Sequence, residues 1–121
     1  MDFKEGLEIH KKLFPKATFT GQLSHLIEEL EEYDKAETVA QKYQELGDVL
    51  VCITSLFRYN EQKILGKYLL RYFFYNQDPE EREKRLKYYE RALEKCKKRV
   101  SENRYILVNG NYIRDKVDIY V

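Results

Sequence analysis

The stretch GQLSHLIEELEEYDKAETVAQKYQELGDVLVCITSLFRY, residues 21–59, decides the fold. Leu23, Leu26, Ile27, Leu30 and Tyr33 recur at helical spacing and predict a helix over about Gly21 to Lys35 with one apolar face. Thr38, followed three residues later by Gln41, is a capping-box pattern and predicts a new helix start. That helix is expected to run to about Tyr59, with Leu46, Val49, Leu50, Ile53 and Phe57 on its apolar face. A helix hairpin with its turn near Lys35–Thr38 follows.

The same stretch carries the chemistry. Glu29 and Glu32 are i,i+3 neighbours on one helical face, and Glu45 and Asp48 repeat that relation on the next helix. At a rise of about 1.5 Å per residue, antiparallel packing brings the two pairs to a similar height. On a wheel at ~100° per residue, Glu29 borders its apolar arc beside Tyr33, and Glu45 borders the next arc beside Val49. Glu32 and Asp48 each lie ~60° further round in the same sense. The four carboxylates are therefore expected on one side of the hairpin. Glu31 lies on the other edge of its arc and reads as a surface residue. Converging carboxylates repel unless a cation neutralises them. All-oxygen ligation suits Mg²⁺ or Mn²⁺, which are commonly completed by water and phosphate oxygens. The bland alternative is that ExxE and ExxD simply decorate solvated helices of a chain that is 36% charged.

Outward from this stretch, Phe3 to Phe14 predicts a short amphipathic helix punctuated by Pro15, and Thr18 or Thr20 offers a cap for the next helix. Glu61 to Tyr75 predicts a fourth, aromatic-rich helix. Its run Tyr68 to Tyr75 is expected to bury more than one face, as core or subunit interface, with stacking of a nucleobase as the alternative. Asp78-Pro79-Glu80-Glu81 is a strong start for a fifth helix reaching about Ser101. Tyr105 to Val108, Asn109-Gly110 and Asn111 to Arg114 predict a β-hairpin on a type I′ turn.

With 121 residues, one domain spanning 1–121 is expected, and 43% apolar content fits a soluble globular chain. The net charge of +1 and the lack of a Lys/Arg-rich aromatic face argue against nucleic acid or an anionic membrane as partner. Cys52 and Cys96 have no CxxC companion, so no zinc signature or disulfide framework is expected. With no apolar leader and no span long enough for a bilayer, a cytoplasmic location is the expectation.

At Glu28-Glu29-Leu30-Glu31-Glu32 and Glu45-Leu46-Gly47-Asp48 the sequence resembles MazG-like proteins of the all-α nucleoside triphosphate pyrophosphohydrolase superfamily, whose hallmark is EExxE, a spacer, then ExxD. His10-Lys11-Lys12-Leu13-Phe14-Pro15, Gly21-Gln22-Leu23 and Arg58 are similar too, so the resemblance spans roughly residues 8–60. It extends less specifically to Lys95, Lys97, Lys98, Arg99 and the Gly110 hairpin. It implies an all-α bundle of about five helices with a small C-terminal β-hairpin. It further implies cleavage of the α–β phosphoanhydride of a nucleoside triphosphate, giving monophosphate and pyrophosphate, and a dimer or tetramer. Mg²⁺ would be held by Glu29, Glu32, Glu45 and Asp48, while Glu28 and Glu29 would orient or activate water. Gln22 and His25, on the same stripe, could meet phosphate or base, and Arg58, Lys97 and Arg99 could meet phosphate. Against these stand a packed polar interface for Gln22 and His25, a helix-dipole role for Arg58 and a solvated helix end for Lys97 and Arg99. The reading in another class is a catalytically silent helical interaction or regulatory module.

Overall fold

The caps read from the sequence close where the chain needs them. The computed structural model describes residues 1–114, so the last part of the expected 1–121 domain lies outside the described residues. Asp2 accepts from the Glu5 amide (2.8 Å) and opens α1, Phe3–Leu13. Thr18 accepts from the Gly21 amide (3.1 Å) and opens α2, Phe19–Lys35, two residues earlier than periodicity suggested. Thr38 and Gln41 form the full capping box, 3.1 and 3.2 Å, at the start of α3, Val39–Ser55. Asp78 accepts from the Glu81 amide (2.8 Å), with Pro79 in the first turn of α5, Pro79–Ser101. Such caps are each worth about 1 kcal/mol.

Two boundaries differ from expectation. α3 stops at Ser55, and Leu56–Arg58 continue as a 3-10 turn rather than as α-helix to Tyr59. Thr54 Oγ1 donates back to the Leu50 and Val51 carbonyls and Ser55 Oγ to that of Cys52, competing with the helical ladder at its end. The expected fourth helix is three pieces: a 3-10 turn Asn60–Gln62, α4 at Lys63–Leu70, and a π-helical turn at Arg71–Tyr75. In the π turn the Asn76 amide bonds the Arg71 carbonyl five residues back (2.9 Å), and Arg85 of α5 bonds the Phe73 carbonyl (2.6 Å). The aromatic run buries only one face within this chain. Leu70, Phe73 and Phe74 are inside, whereas Tyr68, Tyr72 and Tyr75 stay exposed. Ile27, assigned to the apolar face of α2, is also half exposed, because Leu26 takes the core position.

α3 is the axle. Every residue from Val49 to Leu56 is buried, and α1, α2, α4 and α5 all pack against it. Tyr89 and Leu93 of α5, Leu26 of α2 and Phe74 complete one hydrophobic cluster. α5 approaches closest at Gly47, where a Cβ would overlap the Tyr88 carbonyl oxygen. β1, Tyr105–Val108, pairs antiparallel with β2, Asn111–Arg114, across Asn109 (φ 51°) and Gly110 (φ 76°), the positive pair a type I′ turn requires. The hairpin rests on the start of α2. The Thr18 amide donates to the Gly110 carbonyl (3.0 Å), and the rings of Tyr105 and Tyr112 pack on Phe14 at 5.2 and 5.0 Å. Among the described residues, no helix is long and apolar enough to cross a membrane.

Gly47 yields a prediction. Alanine in an exposed helix interior is more stable than glycine by about 1 kcal/mol. At Gly47 the sign reverses, because backbone rather than a flexible side chain blocks the methyl. Gly47→Ala should lower stability by about 2 kcal/mol in urea unfolding, and a stabilised variant would contradict the close α3–α5 contact.

Candidate metal centre

The short turn after Lys35 returns α3 alongside α2, and the carboxylates meet as their spacing predicts, with one exception. Glu29 and Glu32 of α2 and Glu45 of α3 each present an oxygen, and these lie within 4.8 Å of one another. Asp48 falls outside that group. It sits beside the three and is held by Lys95 of α5, whose Nζ is 3.3 Å from Oδ1 and 3.5 Å from Oδ2. The expected four-carboxylate convergence is thus three carboxylates plus an ion pair.

Two oxygens in this group lack partners. Glu29 Oε1 meets His25 Nε2 at 3.1 Å, but its buried Oε2 makes no hydrogen bond, and neither does the buried Oε2 of Glu45. An unsatisfied buried carboxylate oxygen costs on the order of 1–3 kcal/mol or more. A hard divalent cation with oxygen preference satisfies such oxygens directly, so the donor set fits Mg²⁺ or Mn²⁺. It does not fit zinc, since no thiolate or imidazole belongs to the cluster.

Electrostatics point the same way. Burial, then a proton shared with Glu32 and the charges of Asp48, Glu32 and Glu29, push Glu45 up to about 7. Burial and the Glu29 carboxylate raise Glu32 as well. Burial lifts Asp48 above its usual range even though Lys95 pulls it down. His25 is raised, by the neighbouring Cys52 sulfur first and by Glu29 as well. Burial raises the Cys52 thiol, which therefore keeps its proton at neutral pH, so the cause left to favour a protonated His25 is its 3.1 Å contact with Glu29, opposed by burial.

Behind His25 lies a small cavity of ≈ 30 Å³, lined by His10, Gln22, His25, Cys52, Cys96 and Tyr105 among others, which has room for about one water. Gln22 is buried. Its amide is near enough to the His10 ring to favour protonation there slightly, yet its Oε1 lacks a partner at bonding geometry. Burial and the Arg58 charge lower His10 to about 3, so its Nδ1 is a neutral acceptor facing Arg58 Nη1 at 3.2 Å.

The remaining sequence candidates scatter. His25 braces Glu29, one turn away on α2. Glu28 is exposed and bonds nothing in the cluster, and Glu31 is exposed as expected. Arg58 binds the Phe14 carbonyl (2.8 Å) and His10, so it holds the C-terminal end of α1 rather than its own helix or the carboxylates. Lys97 pairs with Glu94 on its own helix (3.0 Å). Arg99 is near enough to Asp48 and to the Tyr105 hydroxyl to lower both. Lys95 is the cation at this site that the sequence does not single out. It stands i,i+4 from Arg99, but nothing in the Lys-rich run identifies which side of α5 faces α3. The contact at Gly47 sets that rotation.

No protein-family profile, no curated protein and no solved structure matches this chain.

The raised Glu45 carboxyl has a measurable consequence. Its folded pKa of about 7 exceeds the ordinary 4.5, so the folded state binds this proton more tightly than the unfolded chain does. The associated stability is full below pH ~4.5 and is lost as pH rises through about 7. Without divalent ions, Glu45→Gln should stabilise the fold at pH 8 by about 1 kcal/mol, a figure reduced for solvent screening, and change little at pH 4.5. Urea unfolding in chelator tests this, and a variant equal to or weaker than the parent at pH 8 would contradict the electrostatic account.

Proposed function

We propose that this chain hydrolyses nucleoside or deoxynucleoside triphosphates to monophosphate and pyrophosphate in a divalent-metal-dependent reaction, using the Glu29, Glu32, Glu45 and Asp48 face. The observation that carries the reading is the pair of buried, unpartnered carboxylate oxygens on Glu29 and Glu45 within a three-carboxylate cluster. A helical interaction module would gain stability by losing these charges, whereas a metal-dependent site needs them. The resemblance at EExxE and ExxD supports the same chemistry and alone supplies the choice of the α–β bond.

Glu29, Glu32 and Glu45, with Asp48 beside them, would hold Mg²⁺ or Mn²⁺. Such an ion supplies charge neutralisation for the polyphosphate and acidifies water. The chain's own residues do the rest. His25 orients Glu29 through the 3.1 Å contact and offsets part of the negative charge. Lys95 neutralises Asp48 and, with Arg99 on the same side of α5, supplies cations for phosphate oxygens. Glu28, exposed beside the cluster, and Glu29 are the carboxylates assigned to receive the proton of the attacking water.

With Mg²⁺, a deoxynucleoside triphosphate should give deoxynucleoside monophosphate and pyrophosphate as first products, followed by separate assays for pyrophosphate and phosphate. Glu29→Gln, Glu32→Gln, Glu45→Gln and Asp48→Asn should each lower kcat/KM by roughly a hundredfold or more. Glu31→Gln should stay within about twofold of the parent, as a change at an exposed residue on the other edge of the apolar arc of α2. Undiminished activity in Glu45→Gln, or phosphate as the first product, would sink the proposal. A folded protein that cleaves no nucleotide would leave the cluster as a binding or regulatory device.

A further inference from the structure

The exposed face of α4 and the π turn sorts its side chains into two rows. Lys63, Lys67 and Arg71 are spaced i,i+4 and all are exposed. Ile64, Tyr68 and Tyr72 form a second row at the same spacing, 69%, 64% and 68% exposed, and Tyr75 extends it at 53%. Residues four apart are neighbours on a helix surface, about 6 Å apart along the axis, so the rows run side by side. Arg71 already leans over the Tyr68 ring, 5.6 Å from its centroid. Between Glu61 and Asp78 there is not one carboxylate, although the chain holds 21. Net charge is close to zero overall because the acids lie elsewhere, so the near-neutral balance conceals a local cationic, aromatic strip, and the expectation that the chain lacks a Lys/Arg-rich aromatic face is corrected here.

From this arrangement we propose that the 63–75 face binds single-stranded nucleic acid, with phosphates along the Lys63–Lys67–Arg71 row and bases against Tyr68, Tyr72 and Tyr75. The inference is independent of the proposed hydrolase activity. A single strand is the polyanion whose charge lies along one edge and whose stackable rings lie along the other. A second copy of the chain fits less well. A two-fold contact brings the same patch to itself, and along residues 62–77 that patch offers no carboxylate to the three cations. A bilayer surface is laterally uniform and gives no reason for cations to line only one flank of the apolar stripe. The strip is bounded by Glu61 at one end and by Asp78 and Glu80 at the other, which limits contact to a few nucleotides.

The test is fluorescence anisotropy with a labelled oligo(dT) about a dozen nucleotides long, long enough to cover one such site. The full chain is used in chelator, so that the carboxylate cluster plays no part. Binding should be saturable and should beat a duplex of the same length. It should weaken roughly 20-fold between about 50 and 200 mM salt, the expectation for three neutralised phosphates on a single strand. Tyr68→Ala with Tyr72→Ala should weaken it roughly tenfold or more through lost stacking, and Lys63→Glu with Lys67→Glu should abolish it. All four side chains are exposed, so these variants should keep the parent's circular dichroism and melting. No binding at about 100 µM protein in low salt would overturn the proposal. So would tyrosine variants that bind as well as the parent. Capture by anionic phospholipid vesicles without oligonucleotide binding would assign the strip to a membrane instead. A dimer that falls to monomer in the tyrosine variant, again without oligonucleotide binding, would assign it to a second copy.

Discussion

Helix α3 has to be buried on every side, and the rest of the molecule is arranged to bury it. Its residues Val49 to Ser55, with Leu56 just beyond them, have no solvent face, so α1, α2, α4 and α5 must each present apolar surface to it. Packing at that density leaves little freedom in how the neighbours rotate. α5 can reach α3 only because residue 47 has no side chain, and that approach brings Lys95 within 3.3 Å of Asp48. The hairpin at the C-terminal end is then set by Thr18 and Phe14 rather than by the core.

Where α3 emerges toward its N-terminal half, the burial weakens and the charges begin. Glu45 is on the last turn before the fully buried stretch, facing Glu29 and Glu32 across the α2–α3 seam. Two forces compete there. Core packing holds the helices at contact distance, and like-charge repulsion opposes it. Burial first, and the neighbouring carboxylates after it, raise the pKa values of Glu45, Glu32 and Asp48. His25 and Lys95 relieve part of it at the edges, through Glu29 and Asp48, and leave buried oxygens of Glu29 and Glu45 unmet. Such a cluster lowers the stability of the metal-free fold, and under the proposed function that loss is the usual trade at a functional centre.

Most of the fold was legible because it rests on local rules. The Thr38–Gln41 box, the Asp78–Pro79 start and the Asn109-Gly110 turn depend on residues within a few positions of one another, and each is where the sequence predicts it. What escaped prediction depends on distant partners. The π turn at Arg71–Tyr75 is held in part by Arg85 of another helix. Arg58, read as a phosphate contact or a partner of its own helix dipole, instead binds the Phe14 carbonyl and the neutral His10 ring of α1. The carboxylate pairs were readable from spacing and wheel angle, but the diversion of Asp48 to Lys95 was not, since it depends on the rotation of α5 about its own axis. The tyrosines of α4 were expected to be covered, because hydropathy alone does not distinguish a helix enclosed on two sides from one enclosed on one.

The central claim is that Glu29, Glu32, Glu45 and Asp48 form a divalent-cation site whose protonation opposes binding. Calorimetric titration of the metal-free protein with Mn²⁺, in two buffers of different ionisation enthalpy, measures both the affinity and the protons released. The account predicts saturable binding that strengthens from pH 6 to pH 8 through the Glu45 transition near 7, net proton release at neutral pH, and loss of binding in Glu45→Gln. Absence of saturable binding at millimolar Mn²⁺, or binding unchanged in Glu45→Gln, would contradict it.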